Sequence, residues 1–501
     1  MLRTLLLIPV LGASVIILVP SKWSKLIRSV ALLVTASAFI YACSLLSYFD
    51  ANSEKIQLFE SHDWHGRFGS TFSLGVDGFS LPLVFLATLL MWVTVLASHT
   101  LLTSRPSVGG EEGSRLTSFA QNYTEAKLYY FLLLFLETAI LGVFMARDWS
   151  LFYLFWELML LPLFFLIERM GEANRQRAAL NFVLYTMGGS VFMLIALLLL
   201  YDATPSHSFD MTAIAVGAAE LPHQTQYWIF FGLLIGFGVK MPIFPLHGWL
   251  PLADVEAPSP VSILLSGILI KMGAYGLIRV VTTLPAVATD FQELLATLAF
   301  INLIYGAVLA WYQRDLKAMV AYASISHMGI VLLGIATLNK IGLTGAVVQM
   351  VAHGLTSGAL FLLVGLLYER TNTRDIGDYS SLVQVMPRFS FFTVFTFMAA
   401  VGLPGTVGFV AELHVLIGSF ARWGGIVVLL SVGMLISAAY ALRTVGRLFT
   451  GPVSAKMGAI PDLTPTEMIA AAVLSAGTLT FGLFPAPGLT LLAGSLLHLN
   501  R

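Results

Sequence analysis

The sequence of 501 residues contains little charge and a single cysteine. Charged residues make up 11% of the chain, hydrophobic residues make up 57%, and the mean hydropathy is +0.86. A water-soluble protein of this length needs far more charge on its surface. The lone Cys43 excludes disulfides, iron–sulfur clusters and CxxC zinc or redox sites built within this chain. The composition therefore predicts a polytopic membrane protein.

Nucleotide-binding motifs are missing as well. No GxGxxG follows a strand-like run and no GxxxxGK[ST] occurs, so the phosphates of a dinucleotide or a nucleotide have no obvious cradle. The formal net charge of zero gives no reason to expect a nucleic-acid partner. We expect neither a cofactor site nor a metal site in this chain.

Apolar runs recur along nearly the whole length and predict about fourteen transmembrane helices. They fall near residues 2–20, 27–48, 79–101, 128–145, 149–168, 180–201, 227–246, 259–281, 293–311, 318–337, 342–368, 390–418, 424–448 and 467–492. The first run has one arginine before it, no convincing cleavage site and many runs behind it, so we interpret it as helix 1 and not as a secretory signal. Two loops, 49–78 and 102–126, are long enough for structure of their own.

Lysine and arginine are distributed unequally between the predicted loops. With the N-terminus outside, inside loops hold 17 of the 27 basic residues, outside loops hold 8, and Lys240 and Lys271 fall within spans. A miscounted helix would reverse every later loop and scramble this asymmetry. Both termini are therefore predicted on the non-cytoplasmic side.

Several ionisable side chains fall inside the predicted spans, where each costs about 2.5–3.5 kcal/mol and is a functional candidate. They are Glu137, Glu157, Lys240, Lys271, His327, His353 and Glu412. Glu137 could simply hydrogen-bond a neighbouring helix, and the two histidines could be core residues with satisfied hydrogen bonds. A purely structural role is harder to argue for Lys271 and Glu157, because both lie deep within apolar runs.

Two of these residues lie beside breaks in a helix. Lys240 precedes Pro242 and Pro245, and Glu412 follows "GLPGTVGFVA". Breaks at membrane depth persist only where they face protein or a water-filled cavity, and paired broken helices mark ion sites in inverted-repeat transporters. We therefore predict broken helices 7 and 12.

The spacing of the charged residues indicates an internal repeat. Lys240 and Glu412 are 172 residues apart, and Glu157 and His327 are 170 apart. This predicts two five-helix units, helices 4–8 within 127–281 and helices 9–13 within 282–448. They lie between an N-terminal segment, 1–126, and a C-terminal segment, 449–501. An odd number of spans in each unit makes the second unit inverted.

The residue types suggest proton transfer. A desolvated lysine loses its proton readily, and a nearby carboxylate restores its charge, so we expect Glu157 to hold Lys240 protonated. Lys271, His327, His353 and Glu412 would then be further stations, for which histidine is suited by its reference pKa near 6.5. Moving one charge across roughly 100 mV takes about 2.3 kcal/mol, so an external energy source is required.

The same residues belong to motifs of a known family. They are "VKMPIFPLHGWLPLADVEAPSPVSILLSGILIKMGAYGLIR", "YASISHMGIVLLGIA", "GAVVQMVAHGLTSGALFLLVG", "GLPGTVGFVAEL" and "SLGVDGFSLPL". Along nearly its whole length the chain resembles the antiporter-like membrane subunits of complex I, of the chain M or subunit 4 type. The resemblance implies an all-α fold of fourteen helices with two inverted repeats.

The resemblance also implies roles for the buried residues. Glu157 and Lys240 would form the charge pair of the first half, and Lys271 and His327 would bridge the halves. His353 would continue the polar axis, and Glu412 would be the carboxylate on the exit side.

The implied activity is proton translocation within an NAD(P)H or ferredoxin:quinone oxidoreductase, driven by quinone reduction elsewhere. NAD(P)H or ferredoxin, flavin, iron–sulfur clusters and quinone would then belong to partner subunits. The neighbours would be other antiporter-like and small membrane subunits, in a bacterial plasma membrane or a thylakoid membrane. A cation/proton antiporter subunit of the Mrp type and a non-transporting scaffold are the alternatives.

One motif departs from the family. Where the family usually reads HGWLPDAH this chain has "HGWLPLAD", with Leu252 and Asp254 at the aspartate and histidine positions. We expect this loop to lie at a membrane surface and to alter proton entry or subunit contact without abolishing pumping.

Overall fold

The computed structural model describes residues 1–65, 69–103, 115–205, 207–453 and 460–500. The described chain is helical nearly throughout and includes one two-stranded sheet. Four basic residues that enter the predicted charge asymmetry, Arg67, Arg105, Lys456 and Arg501, lie outside the described residues. The orientation in the membrane therefore stays a prediction.

The N-terminal part consists of four helices and a β-hairpin. The helices are α1 (Leu2–Leu18), α2 (Ser24–Leu45), α3 (Leu81–Thr103) and α4 (Arg115–Met145). Strands β1 (Gln57–His65) and β2 (Ser70–Val76) pair antiparallel, with Gln57 opposite Val76 and His65 opposite Ser70. The hairpin occupies the loop 49–78, for which the sequence predicted some structure.

The next part contains eight helices, several of them short. They are α5 (Trp149–Leu158), α6 (Leu160–Met170), α7 (Arg175–Ala203), α8 (Met211–Ala218), α9 (His223–Lys240), α10 (Trp249–Glu256), α11 (Ser259–Leu264) and α12 (Ile270–Thr283). A π-helical segment, Leu265–Leu269, joins α11 to α12. Together these form one apolar run, Ser259–Thr283, which is buried within the protein except at its last two residues, Thr282 and Thr283.

Ten further α-helices follow in the described residues after α12. They are α13 (Pro285–Asp290), α14 (Gln292–Tyr312), α15 (Leu316–Ala336), α16 (Lys340–Thr371), α17 (Leu382–Val385), α18 (Pro387–Ala400), α19 (Val407–Trp423), α20 (Leu430–Phe449), α21 (Pro465–Leu483) and α22 (Ala486–Ala493).

Within the described ranges, eleven helices are long and apolar enough to cross a membrane, and shorter apolar helices accompany them. Two predicted spans are interrupted, one between α9 and α10 and the other between α18 and α19. The prediction of an all-α polytopic membrane protein is confirmed. The count of fourteen crossings and the two inverted repeats stay predictions.

The interior of the fold is formed by α12, α15 and α16. The apolar parts of these three helices are almost wholly buried within the protein. By contrast, less than half of the apolar part of α7 and of α20 is buried. Glycine allows two of these segments to approach closely: a Cβ on Gly354 of α16 would lie 2.8 Å from the carbonyl oxygen of Gly267 in the π-helical segment. Polar residues on these inner helices are therefore surrounded by protein and not by lipid.

Candidate functional site

The break after α9 is stabilised by one side chain from another helix. Helix α9 ends at Lys240, and the regular helical hydrogen bonding stops soon after it, where Pro242 has no N–H to donate. Asn302 of α14 accepts a hydrogen bond from the Phe244 N–H at 2.7 Å and donates one to the Pro242 carbonyl oxygen at 3.0 Å. Because Asn302 is fully buried, it replaces the water that a broken helix otherwise needs.

Lys240, the last residue of α9, is buried among aromatic rings. Its side chain is 1% exposed, and Nζ lies 5.1 Å from the ring centre of Trp156 and 5.6 Å from that of Phe182. Nζ has no hydrogen-bond partner among the described residues. The negative faces of the rings attract an ammonium group without holding it in one hydrogen-bonded position.

Glu157, near the end of α5, is the carboxylate that interacts electrostatically with Lys240. No ion pair of 4.0 Å or less joins the two side chains in the described structure, and Oε1 of Glu157 also has no partner there. The structure thus brings the predicted pair into the same region without direct contact.

Lys271, His353 and His327 form a contiguous group in the interior. Lys271 Nζ lies 2.5 Å from Nδ1 of His353 and also donates to the carbonyl oxygen of Ser266 in the π-helical segment. The ring centres of His353 and His327 are 5.3 Å apart. Gln349 Nε2 lies 3.5 Å from Nδ1 of His327, so α12, α15 and α16 all contribute to this group.

A cavity of about 20 Å³ borders the two histidines on the side of α20. Such a volume is enough for one water molecule. Its polar lining consists of Ser324, His327, His353, Thr356, Ser357 and Tyr440. The hydroxyl groups of this lining extend the polar line from the histidines to Tyr440.

Glu412 of α19 lies beyond Tyr440, with which it interacts electrostatically. Its carboxylate packs against the break that precedes α19. A Cβ on Gly402 would lie 2.3 Å from Oε2 of Glu412, and Gly402 has a φ of +74°. Only glycine satisfies both demands, because a side chain would collide with the carboxylate and would also be strained in this conformation.

The two lysine-containing segments pack against each other. A Cβ on Gly273 of α12 would lie 2.6 Å from the backbone nitrogen of Met241, the residue after Lys240. Gly276, one turn further along α12, is equally close to the ring of Phe237 on α9. The Lys240 and Lys271 backbones are thereby held side by side.

Five of the six predicted site residues are buried, on α9, α12, α15, α16 and α19, and the sixth, Glu157 on α5, is half-buried. The structure brings Lys271, His353 and His327 into direct contact. Lys240 with Glu157 at one end, and Glu412 at the other, are linked to this group only through packing, electrostatics and Tyr440. Lysine, histidine, carboxylate and hydroxyl groups can pass protons along such a line when water fills the gaps.

The structure differs from two expectations, one for Glu137 and one for the "HGWLPLAD" segment. Glu137 is 1% exposed, and neither of its carboxylate oxygens has a hydrogen-bond partner in the described part of the chain, so the suggested bond to a neighbouring helix is not observed. The expectation of a surface loop at "HGWLPLAD" is wrong, because residues Trp249–Glu256 form helix α10. Its Asp254 is fully buried, whereas Leu252 is half-buried.

Sequence reasoning missed several polar residues that complete the site. Asn302 and Gln349 were detectable from the sequence, because each is an amide side chain within an apolar run. Like a charge, a buried amide needs a polar partner. Tyr440 and Ser266 gave no such signal, because hydroxyl residues are common in membrane helices. Their importance follows only from which helices are neighbours.

The chain is similar in sequence to proteins of a known family. Residues 146–437 match the family described as NADH:quinone oxidoreductase/Mrp antiporter, TM. A protein of Synechococcus elongatus named NAD(P)H-quinone oxidoreductase chain 4 1 is 40% identical, over 97% of this chain and 88% of that protein. Chain 4 2 of Thermosynechococcus vestitus is 39% identical over 97% of this chain and 89% of its own length.

Solved structures share the fold. A chain of respiratory complex I from Thermus thermophilus, solved with bound NADH, superposes with a TM-score of 0.87 at 29% identity, and each chain is covered completely. A chain of the Mrp complex from Dietzia superposes with a TM-score of 0.82 at 20% identity over 99% of this chain and 97% of that one, a likeness of fold alone. The resemblance drawn from the motifs is confirmed, and the chain belongs to the NADH:quinone oxidoreductase/Mrp antiporter family of membrane proteins.

Proposed function

We propose that this chain is a proton-translocating membrane subunit of an NAD(P)H:quinone or ferredoxin:quinone oxidoreductase complex. The observation that supports this most strongly is the contact of Lys271, His353 and His327 at the centre of the fold. Three neighbouring basic groups on inner helices are costly in a membrane protein unless they are used. Relatives named as chain 4 of such complexes support the assignment of this activity.

In the proposed mechanism Glu157 and Lys240 form the first station. Lys240 Nζ has no hydrogen bond to any residue that the structure describes, and it faces the rings of Trp156 and Phe182, so its charge depends on how close Glu157 lies. Approach of the carboxylate favours the ammonium form, and its withdrawal favours proton release. The charge state of Lys240 is thereby coupled to small movements of α5.

The central group receives and passes on the proton. Lys271 donates to His353 in one protonation state and accepts from it in the other, and His327 continues the line toward the small cavity and Tyr440. Glu412, beside the second break, is the proposed last station. Each half of the path then contains one broken helix, as the proposal of two inverted repeats in 127–281 and 282–448 requires.

The energy for transfer comes from outside the chain in this proposal. Quinone reduction in partner subunits would supply it, and these subunits would hold the flavin, the iron–sulfur clusters and the sites for quinone and electron donor. The cyanobacterial relatives favour a thylakoid or plasma membrane as the location.

The test is proton uptake by liposomes containing the intact complex, with quinone and whichever of NADPH, NADH or reduced ferredoxin the complex oxidises. Lys240→Met should remove the protons that this chain translocates and leave the complex assembled. Lys25→Met, on the exposed face of α2, is the control and should pump normally. Unchanged uptake with Lys240→Met would identify a scaffold.

An Mrp-type antiporter is the second candidate, favoured by the shared fold. It predicts that a sodium gradient drives proton movement in the absence of quinone and electron donor. The proposed function predicts proton uptake that requires both and is indifferent to replacing sodium by choline.

A further inference from the structure

A second polar region lies apart from the site described above. A cavity of about 1000 Å³ opens where the β2–α3 turn, the α4–α5 link and the end of α12 meet. Asp77, Arg147, Trp149 and Arg279 contribute to its wall, and none of the six predicted site residues does. Whatever occupies it is therefore separate from the proposed proton path.

The only carboxylate among these four residues is already engaged. Arg279 binds Asp77 through two hydrogen bonds, Nη1 to Oδ2 at 2.5 Å and Nη2 to Oδ1 at 2.8 Å. Asp77 Oδ1 also accepts from the backbone N–H groups of Phe79 and Ser80. The carboxylate thus compensates one guanidinium group and has little capacity for another.

Arg147 is the guanidinium group that lacks a comparable partner. Its side chain is 9% exposed, and Nη1 lies 3.7 Å from Asp77 Oδ2, too far for a hydrogen bond. Its stem is held against the hairpin, because a Cβ on Gly75 would lie 3.0 Å from Cγ of Arg147. The group is therefore buried and fixed, and besides Asp77 the carboxylate of Asp210 compensates part of its charge without a hydrogen bond or ion pair to it.

Four N–H donors of the cavity wall have no acceptor in the part of the chain that the structure describes. They are Nε and Nη1 of Arg147, Nε of Arg279 and Nε1 of Trp149. Two guanidinium groups and one carboxylate leave a net charge of +1 on these residues. Glu54 and Lys55, which also line the cavity, have opposite charges and do not alter this balance.

A wall rich in N–H donors and positive in charge is complementary to an oxyanion. Guanidinium groups bind phosphate through paired, charge-assisted hydrogen bonds, and a buried donor without an acceptor is costly. We propose that this cavity binds a phosphate group at Arg147 and Trp149, either as a phospholipid headgroup or as inorganic phosphate. The proposal does not depend on proton translocation.

The test is cryo-electron microscopy of the intact complex in three nanodisc samples. The first contains only galactolipid in phosphate-free buffer, the second adds inorganic phosphate, and the third replaces galactolipid by phosphatidylglycerol without free phosphate. Density at Arg147 in the third sample that continues into acyl chains supports a lipid headgroup. Compact density in the second sample supports free phosphate. Density in the first sample, or in none, would overturn the proposal.

Two variants establish that the density depends on the proposed donors. Arg147→Gln should raise the phosphate or lipid concentration needed for half occupancy roughly tenfold or more, as expected for loss of hydrogen bonds to a charged group. Trp149→Phe keeps an aromatic ring but lacks the Nε1 donor, so the protein should still fold. This variant should weaken occupancy by a smaller factor than Arg147→Gln. Arg422→Gln, on an exposed part of α19, should change nothing. Equal occupancy in all four proteins would contradict the assignment.

Discussion

At the scale of single residues, the structure separates buried charges that are paired from those that are not. Asp77 and Arg279 form a two-bond ion pair, whereas Lys240 has no hydrogen-bond partner among the described residues. A fixed pair stabilises a particular conformation, and a charge without such bonds can respond to its surroundings. We therefore expect substitutions at Asp77 or Arg279 to change the stability of the protein, and substitutions at Lys240 to change proton transport.

The Asp77 pair gives a prediction for stability and its pH dependence. Burial alone would raise the pKa of Asp77, but the guanidinium groups of Arg279 and Arg147 outweigh it and lower the pKa well below the usual 3.8. The stabilising contribution is then fully present above that usual value and is lost as pH falls through the lowered one. Asp77→Asn should destabilise the protein by roughly 3–5 kcal/mol at neutral pH, because Arg279 is left buried and unpaired.

Thermal unfolding of the purified complex at several pH values measures the stability that the Asp77 ion pair contributes. The difference in melting temperature between wild type and Asp77→Asn should be constant from about pH 8 to about pH 5. It should become smaller only below the usual carboxylate pKa. Asp202→Asn, at an exposed position of α7, should behave as wild type. A difference that disappears between pH 7 and pH 5 would show that the ion pair is not its cause.

At the scale of elements, the two interrupted spans are built in different ways. The break after α9 is held by the side chain of Asn302, and the break before α19 depends on a glycine that leaves room for Glu412. The sequence located both breaks, since proline and glycine act locally on the backbone. It did not reveal Asn302, because that contact joins residues far apart in the chain.

Asn302 supports the first break through two buried hydrogen bonds. Asn302→Ala leaves the Phe244 N–H and the Pro242 carbonyl without partners, at roughly 1–3 kcal/mol for each buried group. The melting temperature of the complex should fall markedly. Thr297→Ala is a matched control on the exposed face of the same helix and should change stability by less than about 0.5 kcal/mol. Equal effects of the two substitutions would argue against this support.

The second break allows a comparison of two glycines. Gly402 and Gly424 both have positive φ, +74° and +63°, but a Cβ on Gly424 would have nothing within 4 Å. Gly424→Ala should therefore cost only backbone strain, on the order of 1–3 kcal/mol. Gly402→Ala adds displacement of the Glu412 carboxylate and should also reduce proton uptake. Normal pumping by an assembled Gly402→Ala complex would remove Glu412 from the proposed path.

At the scale of the whole molecule, sequence patterns predicted the membrane fold because hydrophobicity along the chain is a strong signal. They also singled out the ionisable residues within apolar runs, such as Lys240 and Lys271, but not Asp77, Arg147 or Arg279, which lie at the ends of the helices. The patterns failed where packing decides the outcome. The "HGWLPLAD" segment became a helix with Asp254 buried, and Tyr440 came to lie between the histidines and Glu412.

In the proposed mechanism, protons cross the contact between Lys271 and His353. The most direct measurement is the number of protons taken up per quinone reduced by liposomes containing the complex with Lys271→Met. We predict an assembled complex that still reduces quinone and takes up fewer protons per quinone than wild type, because the methionine cannot exchange a proton with His353. The same proton-to-quinone ratio in variant and wild type would contradict the account.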